Sequence, residues 1–196
     1  MTQLVLQEYA EFNFAPEIIE SNNAGDKPIV RLKGIFQKGG VPNGNKRVYP
    51  TRLLTREVER LSTYINERRM IGEIDHPPGE IKPRLNNASH VITSLEMRGD
   101  EMYGVLEILA KTDAGRNLLG LYESGIKLGV SSRGTGGLKP LPGGLMEVDD
   151  SFCLNTFDVV NEPSVGTAYI TEGLQQNNAF RVNTLDTLKR KLYYIF

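Results

Sequence analysis

Three short stretches hold the side chains that could do chemistry. The first is Gly129-Val130-Ser131-Ser132-Arg133-Gly134-Thr135-Gly136-Gly137. An apolar lead-in ends in two serines and an arginine, and glycines follow. A serine hydroxyl beside free backbone N–H groups suits attack on a carbonyl, with the N–H groups holding the oxyanion. The same composition also makes a plain polar turn after a strand. The second stretch centres on His76, one of two histidines, which stands directly before Pro77-Pro78. Two prolines stiffen the backbone there and help to fix an imidazole. Asp75 adjoins it, but neighbouring strand residues point to opposite faces, so a carboxylate partner for His76 has to come from elsewhere. The third is Asp158, set between Phe157 and Val159 in an apolar run. A carboxylate in such a run costs free energy unless it is paired or hydrogen-bonded, which makes it a candidate to orient a histidine. A half-exposed strand with Asp158 facing water is the alternative.

Together Ser131, His76 and Asp158 describe acyl transfer. His76 takes the hydroxyl proton, Asp158 orients the imidazolium, and N–H groups of the glycine stretch stabilise the oxyanion. Serine, histidine and aspartate occur in every protein, so the elements that must position them carry the next step. His90, the other histidine, reads as an ordinary strand residue, and Lys46-Arg47 as a loop pair that is either solvated or holds an anion.

Residues 3–8 and 29–36 read as strands, the second alternating Val30 and Leu32 against Arg31 and Lys33. Residues 11–28 read as mixed, with a turn or loop at 21–26, and 39–50 as a Gly/Pro/Asn loop. The clearest helix is 51–69: Leu53, Leu54, Val58, Leu61 and Ile65 recur at three- and four-residue steps, with Glu57, Glu59, Arg60, Glu67 and Arg68 on the other side. A hairpin is expected from 89–97 and 101–110, turning at Arg98-Gly99-Asp100, and a second helix from 112–125, capped by Thr112 or Asp113 and ended by Gly125. Further strands are expected at 126–131, 138–141, 145–148, 151–160 and 165–171, with the glycines after Ser131 forming a loop. From Gly173 the composition turns polar and linker-like. Leu185, Leu188, Leu192 and Ile195 then suggest a basic amphipathic tail helix.

Composition narrows the function classes. The chain has 196 residues, 39% of them hydrophobic, enough for one domain with a real core. Its 23 basic and 24 acidic residues give no overall field for nucleic acid or an anionic membrane. One cysteine, Cys153, allows no intrachain disulfide and no cysteine-based zinc site, and suits a reducing compartment. No run resembles a signal peptide or approaches the ~20 apolar residues of a membrane span. No metal and no cofactor is expected.

In order and spacing, several segments resemble the prohead core proteases of large contractile-tailed phages, relatives in fold of the herpesvirus assemblins. They are Gly34-Ile35-Phe36, Asn45-Lys46-Arg47-Val48-Tyr49-Pro50, Gly72-Glu73-Ile74-Asp75-His76-Pro77-Pro78, Gly129-Val130-Ser131-Ser132-Arg133-Gly134 and Asp158-Val159-Val160 before Pro163-Ser164. The resemblance implies an α+β fold with a β-barrel-like, mostly antiparallel core surrounded by helices. It implies a serine endopeptidase that cuts scaffold and capsid precursor proteins inside the prohead, within the bacterial host cytoplasm. The family's histidine falls on His76 and its nucleophile on Ser131, with Ser132 as the fallback. The third member, a histidine in assemblins, falls on Asp158, with His90 as the alternative. Arg133 and Gly134 are expected to offer oxyanion N–H groups. No Gly-x-Ser-x-Gly elbow surrounds Ser131, which speaks against an esterase.

The resemblance further implies cutting after Glu in an aliphatic-x-Glu pattern. Ile170-Thr171-Glu172-Gly173 fits, so self-cleavage is expected between Glu172 and Gly173; residues 1–172 would be the protease domain and 173–196 a propeptide. Ile18-Ile19-Glu20 is a second match, and Leu121-Tyr122-Glu123 a third that is disfavoured by its place in a helix. The expected partners are precursor proteins and further copies of the chain in a homo-oligomer, with no nucleic acid and no membrane. An inactive scaffold or core protein that keeps the protease fold is the competing reading.

Overall fold

A computed structural model describes residues 4–10, 15–19, 29–77 and 79–161. The described residues all lie within the compact unit Met1–Gly166. The expected strand at 165–171, the tail helix, Glu20, Glu172 and Gly173 lie outside the described residues.

Eleven strands are present among them: β1 (Leu4–Ala10), β2 (Ala15–Ile19), β3 (Ile29–Lys38), β4 (Arg47–Val48), β5 (Ile71–Gly72), β6 (His90–Arg98), β7 (Glu101–Ile108), β8 (Gly129–Gly136), β9 (Leu138–Leu141), β10 (Leu145–Val148) and β11 (Cys153–Val160). Two α-helices, α1 (Thr51–Asn66) and α2 (Asp113–Glu123), join them. The strands form three sheets, ordered β1-β8-β11, β4-β10-β9 and β2-β3-β7-β6-β5. Within these sheets the pairing is antiparallel except between β4 and β10. The fold is therefore mixed α+β, with mostly antiparallel sheets curled as a half-barrel.

Local chemistry accounts for the elements. Proline at the N-cap position starts α1. Thr112 caps α2 by accepting the Gly115 N–H at 2.9 Å, and Gly125 follows that helix with φ +78°. The β6–β7 hairpin turns on Gly99, at φ +62°. The core gathers Leu32, Phe36, Leu54, Ile92, Leu106 and Phe157, with the rings of Phe36 and Phe157 edge to face at 5.0 Å.

One expectation is sharpened and two require correction. Residues 15–19, within the region of mixed character, form β2, because β3 offers them an edge to pair with. Glu57 does not sit on the solvent side of α1: it lies four residues from Leu53 and Leu61, within the buried stripe, and is itself buried. The glycines after Ser131 are not a loop. Gly134 and Gly136 belong to β8, which has a partner strand on each edge and is buried throughout, and only Gly137 lies beyond it. A Cβ on Gly134 would stand 2.7 Å from the Cys153 carbonyl and 2.9 Å from the Phe152 ring, so glycine here admits close packing rather than a turn.

Candidate active site

The register of β8 against β11 places Ser131 directly opposite Asp158. Directly opposite residues share a sheet face, and so do residues two apart on one strand. Ser131, Arg133 and Asp158 therefore project to the same side. Ser132 stands opposite Phe157 and projects to the other.

His76 reaches this face by a short route between sheets. β5 pairs with β6, matching Gly72 to His90. A Cβ on Gly72 would lie 2.2 Å from the Phe157 carbonyl oxygen and 2.3 Å from the His90 Nε2, so only glycine lets the chain pass. The next residues run along the outer edge of β11. The Val159 N–H donates to the Glu73 carbonyl at 2.9 Å, and the Asp75 N–H donates to the Val159 carbonyl at 2.8 Å. Asp75 is exposed and takes φ +61°, a conformation aspartate tolerates better than most residues, and the chain turns there into His76.

The imidazole then bridges two strands. His76 Nδ1 lies 2.6 Å from Asp158 Oδ2, and His76 Nε2 is hydrogen-bonded to Ser131 Oγ. A carboxylate only accepts, so the proton of the neutral ring belongs on Nδ1, and Nε2 accepts from the serine hydroxyl. Ser131 and Asp158 are both 0% exposed.

Asp158 has further donors. The Glu73 N–H reaches Oδ1 at 2.9 Å. Arg133 forks onto both oxygens, Nε to Oδ2 at 2.8 Å and Nη2 to Oδ1 at 2.7 Å. The same Nη2 donates to Glu73 Oε2 at 2.8 Å, while Glu73 Oε1 accepts the Arg84 N–H at 2.9 Å. Burial pushes the Asp158 carboxyl up, but the bonds from His76 and Arg133, the guanidinium charge and the Glu73 N–H outweigh it and hold the group below the ordinary carboxylate range. Burial alone would lower the Arg133 guanidinium; Asp158 and Glu73 reverse this and raise it.

His90 has another job. Its Nε2 donates to the Phe157 carbonyl at 3.0 Å, and its Nδ1 lies 2.9 Å from Ser89 Oγ, so both nitrogens are taken. Burial pushes this imidazole down, keeping it neutral. Arg133 and Gly134 sit inside β8, between β1 and β11, and the prominent contacts of Arg133 are those of its side chain. Glu73 belongs to the segment that resembles the proteases, yet sequence reasoning assigned it no role. Its one local signal is a charge set between Ile71 and Ile74.

No group of three or more metal-ligating side chains occurs among the described residues. A cleft of about 410 Å³ opens elsewhere, lined by Arg60, Tyr64, Lys82, Leu85 and their neighbours, and the Ser131–His76–Asp158 chain is not part of it.

The chain is similar to known proteins in both sequence and fold. The family described as prohead core protein serine protease matches residues 11–178. The prohead core protein protease of Enterobacteria phage T4 is 33% identical over 164 residues, covering 79% of this chain and 75% of that protein. The solved structure of the bacteriophage T4 capsid assembly protease superposes with a TM-score of 0.72 at 29% identity, covering 82% of this chain and 99% of that one. With a family match spanning most of its length and a relative at this level of identity, the chain belongs to the prohead core protein serine proteases.

Proposed function

We propose that this chain is a serine endopeptidase that cleaves scaffold and capsid precursor proteins in the prohead, with Ser131 as nucleophile, His76 as base and Asp158 as its orienting partner. The observation that carries this is the unbroken hydrogen-bonded series from Ser131 Oγ through His76 to Asp158. Ser131 Oγ attacks the scissile carbonyl carbon while His76 Nε2 takes its proton. The imidazolium, held by Asp158, gives that proton to the leaving amine as the C–N bond breaks. Water then attacks the acyl-enzyme with His76 again as base, and the acid product and free Ser131 are released. General-base help from a positioned imidazole contributes about 10²–10⁴-fold. Using the Arg133 and Gly134 N–H groups for the oxyanion would require β8 to give up pairing on an edge, and the steps above need only the three side chains.

Cutting after Glu in an aliphatic-x-Glu pattern, self-cleavage between Glu172 and Gly173, and the division into a protease domain 1–172 and a propeptide 173–196 rest on the family resemblance. Leu121-Tyr122-Glu123 closes α2 and is a poor substrate, since a cleaved backbone must be extended. Action inside the prohead, in the host cytoplasm, and assembly with further copies of the chain belong to the same reading.

The test is to follow the intact mass of the purified full chain beside Ser131→Ala, with a peptide containing Ile-Thr-Glu-Gly as substrate in trans. Wild type is expected to lose the residues after Glu172 and to cut the peptide, and the variant to do neither. If both stay whole and the peptide survives, the chain is an inactive core protein. If Ser131→Ala still cuts and Ser132→Ala does not, the nucleophile is Ser132.

A further inference from the structure

Asp158 is aimed by more than its histidine partner requires. Both its oxygens are taken by the Arg133 fork, and the same guanidinium is shared with the fully buried Glu73. A guanidinium fork matches a carboxylate in plane and direction, so it fixes the rotation of Asp158 as well as its charge. A lone arginine there would also cancel the negative charge that an imidazolium at His76 needs. Glu73 restores it. Asp158, Glu73 and Arg133 sum to a formal charge of −1 when His76 is neutral, and to zero once His76 holds the Ser131 proton. Without Glu73 the cluster would go from zero to +1, an unfavourable change in a buried site.

We propose that Arg133 and Glu73 are positioning residues of this centre: Arg133 aims Asp158 at His76, and Glu73 supplies the negative charge that Arg133 would otherwise cancel. The proposal rests on the assignment of Ser131, His76 and Asp158 given above. The His76 ring meets Asp158 from β11 and Ser131 from β8, and Asp158 in turn meets the Arg133 side chain from β8 and the N–H of Glu73 from the segment after β5, while His90 from β6 bonds the Phe157 carbonyl. Burial holds His90 low and Asp75 is exposed, and the buried charges bonded to one another beside His76 are the two carboxylates and the one guanidinium.

The chain has only two histidines, so NMR titration of the imidazole nitrogens in the full-length protein resolves His76, with the buried His90 as a marker of the folded state. Glu73→Gln is expected to move the titration midpoint of His76 down by about one pH unit, and Arg133→Met to move it up by a similar amount. Arg133→Lys keeps the charge and loses the fork. Its midpoint stays at the wild-type value, while fluorophosphonate labelling of Ser131 slows by about 10–100-fold, the usual cost of losing an outer-layer partner. A purely structural role would not move the two midpoints in opposite directions. Shifts of the same sign, or no shift in Glu73→Gln, overturn the proposal. If Arg133→Met fails to fold, Glu73→Gln and Arg133→Lys decide it. Labelling that persists in Ser131→Ala rejects the serine assignment, and is distinct from a failed titration in a protein whose Ser131 does react.

Discussion

Strand β11 is held by two buried carboxylates, and they are held differently. Glu57 on α1 accepts the Leu154 N–H at 2.8 Å, Arg56 Nε at 3.0 Å and Arg60 Nε at 2.9 Å. Its two arginines keep 41% and 43% of their side chains exposed, and they donate onward to the carbonyls of Asp150, Phe152 and Leu154. Asp158 is gripped by an arginine that has no exposed surface at all. Half-solvated guanidinium groups can be replaced by water, so each contributes little. A wholly buried guanidinium has lost its hydration, and removing it strands two carboxylates in the interior. The Glu57 cluster is an anchor that ties α1 to the start of β11. The Asp158 cluster is costly to assemble and is better understood by the orientation and charge it gives His76.

The largest expected effect separates the two carboxylates by activity. Asp158→Asn should cut peptide hydrolysis by roughly 10³–10⁴-fold, as loss of the orienting carboxylate does elsewhere. Glu57→Gln should leave kcat/KM close to wild type and appear only in stability. Equal losses of activity would erase the distinction. Next come the arginines: Arg133→Met is expected to destabilise by about 3–5 kcal/mol and Arg60→Met by under about 1 kcal/mol, read from urea unfolding. Comparable midpoints in the two variants would show that burial of the guanidinium is not what sets its cost.

The glycines that let the clusters form give a smaller contrast. Gly72→Ala meets backbone oxygen at 2.2 Å and should cost about 1–3 kcal/mol, whereas Gly120→Ala in α2 meets nothing within 4 Å and should stabilise by about 0.5–1 kcal/mol. A thermal melt of each checks this, and a stable Gly72→Ala would mean that the crossing to His76 yields easily.

The smallest effect is in pH. Burial lowers His90, so its folded value lies below the unfolded value of about 6.5. Its contribution to stability is therefore complete above that value and is lost as pH falls toward the folded one. Asp158 is also depressed, and its contribution is lost only at lower pH, on falling from about 4 through its folded value. Urea melts at pH 7.5, 6.5 and 5.5 should show stability falling less steeply with falling pH in His90→Gln than in wild type.

Much of the fold could be read locally. The apolar steps of α1, the Thr112 cap and the β6–β7 hairpin each lie within about twenty residues, and there the pattern and the structure agree. His76 before two prolines and Asp158 in an apolar run drew notice because each breaks a local rule, and the fold brings both within hydrogen-bond reach of Ser131. The readings that failed needed distant partners. Gly134 and Thr135 look like a turn until β1, from the far end of the chain, and β11 pair along both sides of them. Glu57 looks like a surface charge until Leu154 and two arginines meet it.

What the sequence determined by itself were residue types, local periods and punctuation: which side chains could carry a proton or attack a carbonyl, and where helices begin and hairpins turn. Only the tertiary structure decided the face each side chain shares, because face depends on register between strands remote in sequence. Arg133 shows the difference. Its sequence position beside the serine and the glycines points only to its backbone N–H, whereas the register of β8 with β11 is what brings its side chain to Asp158.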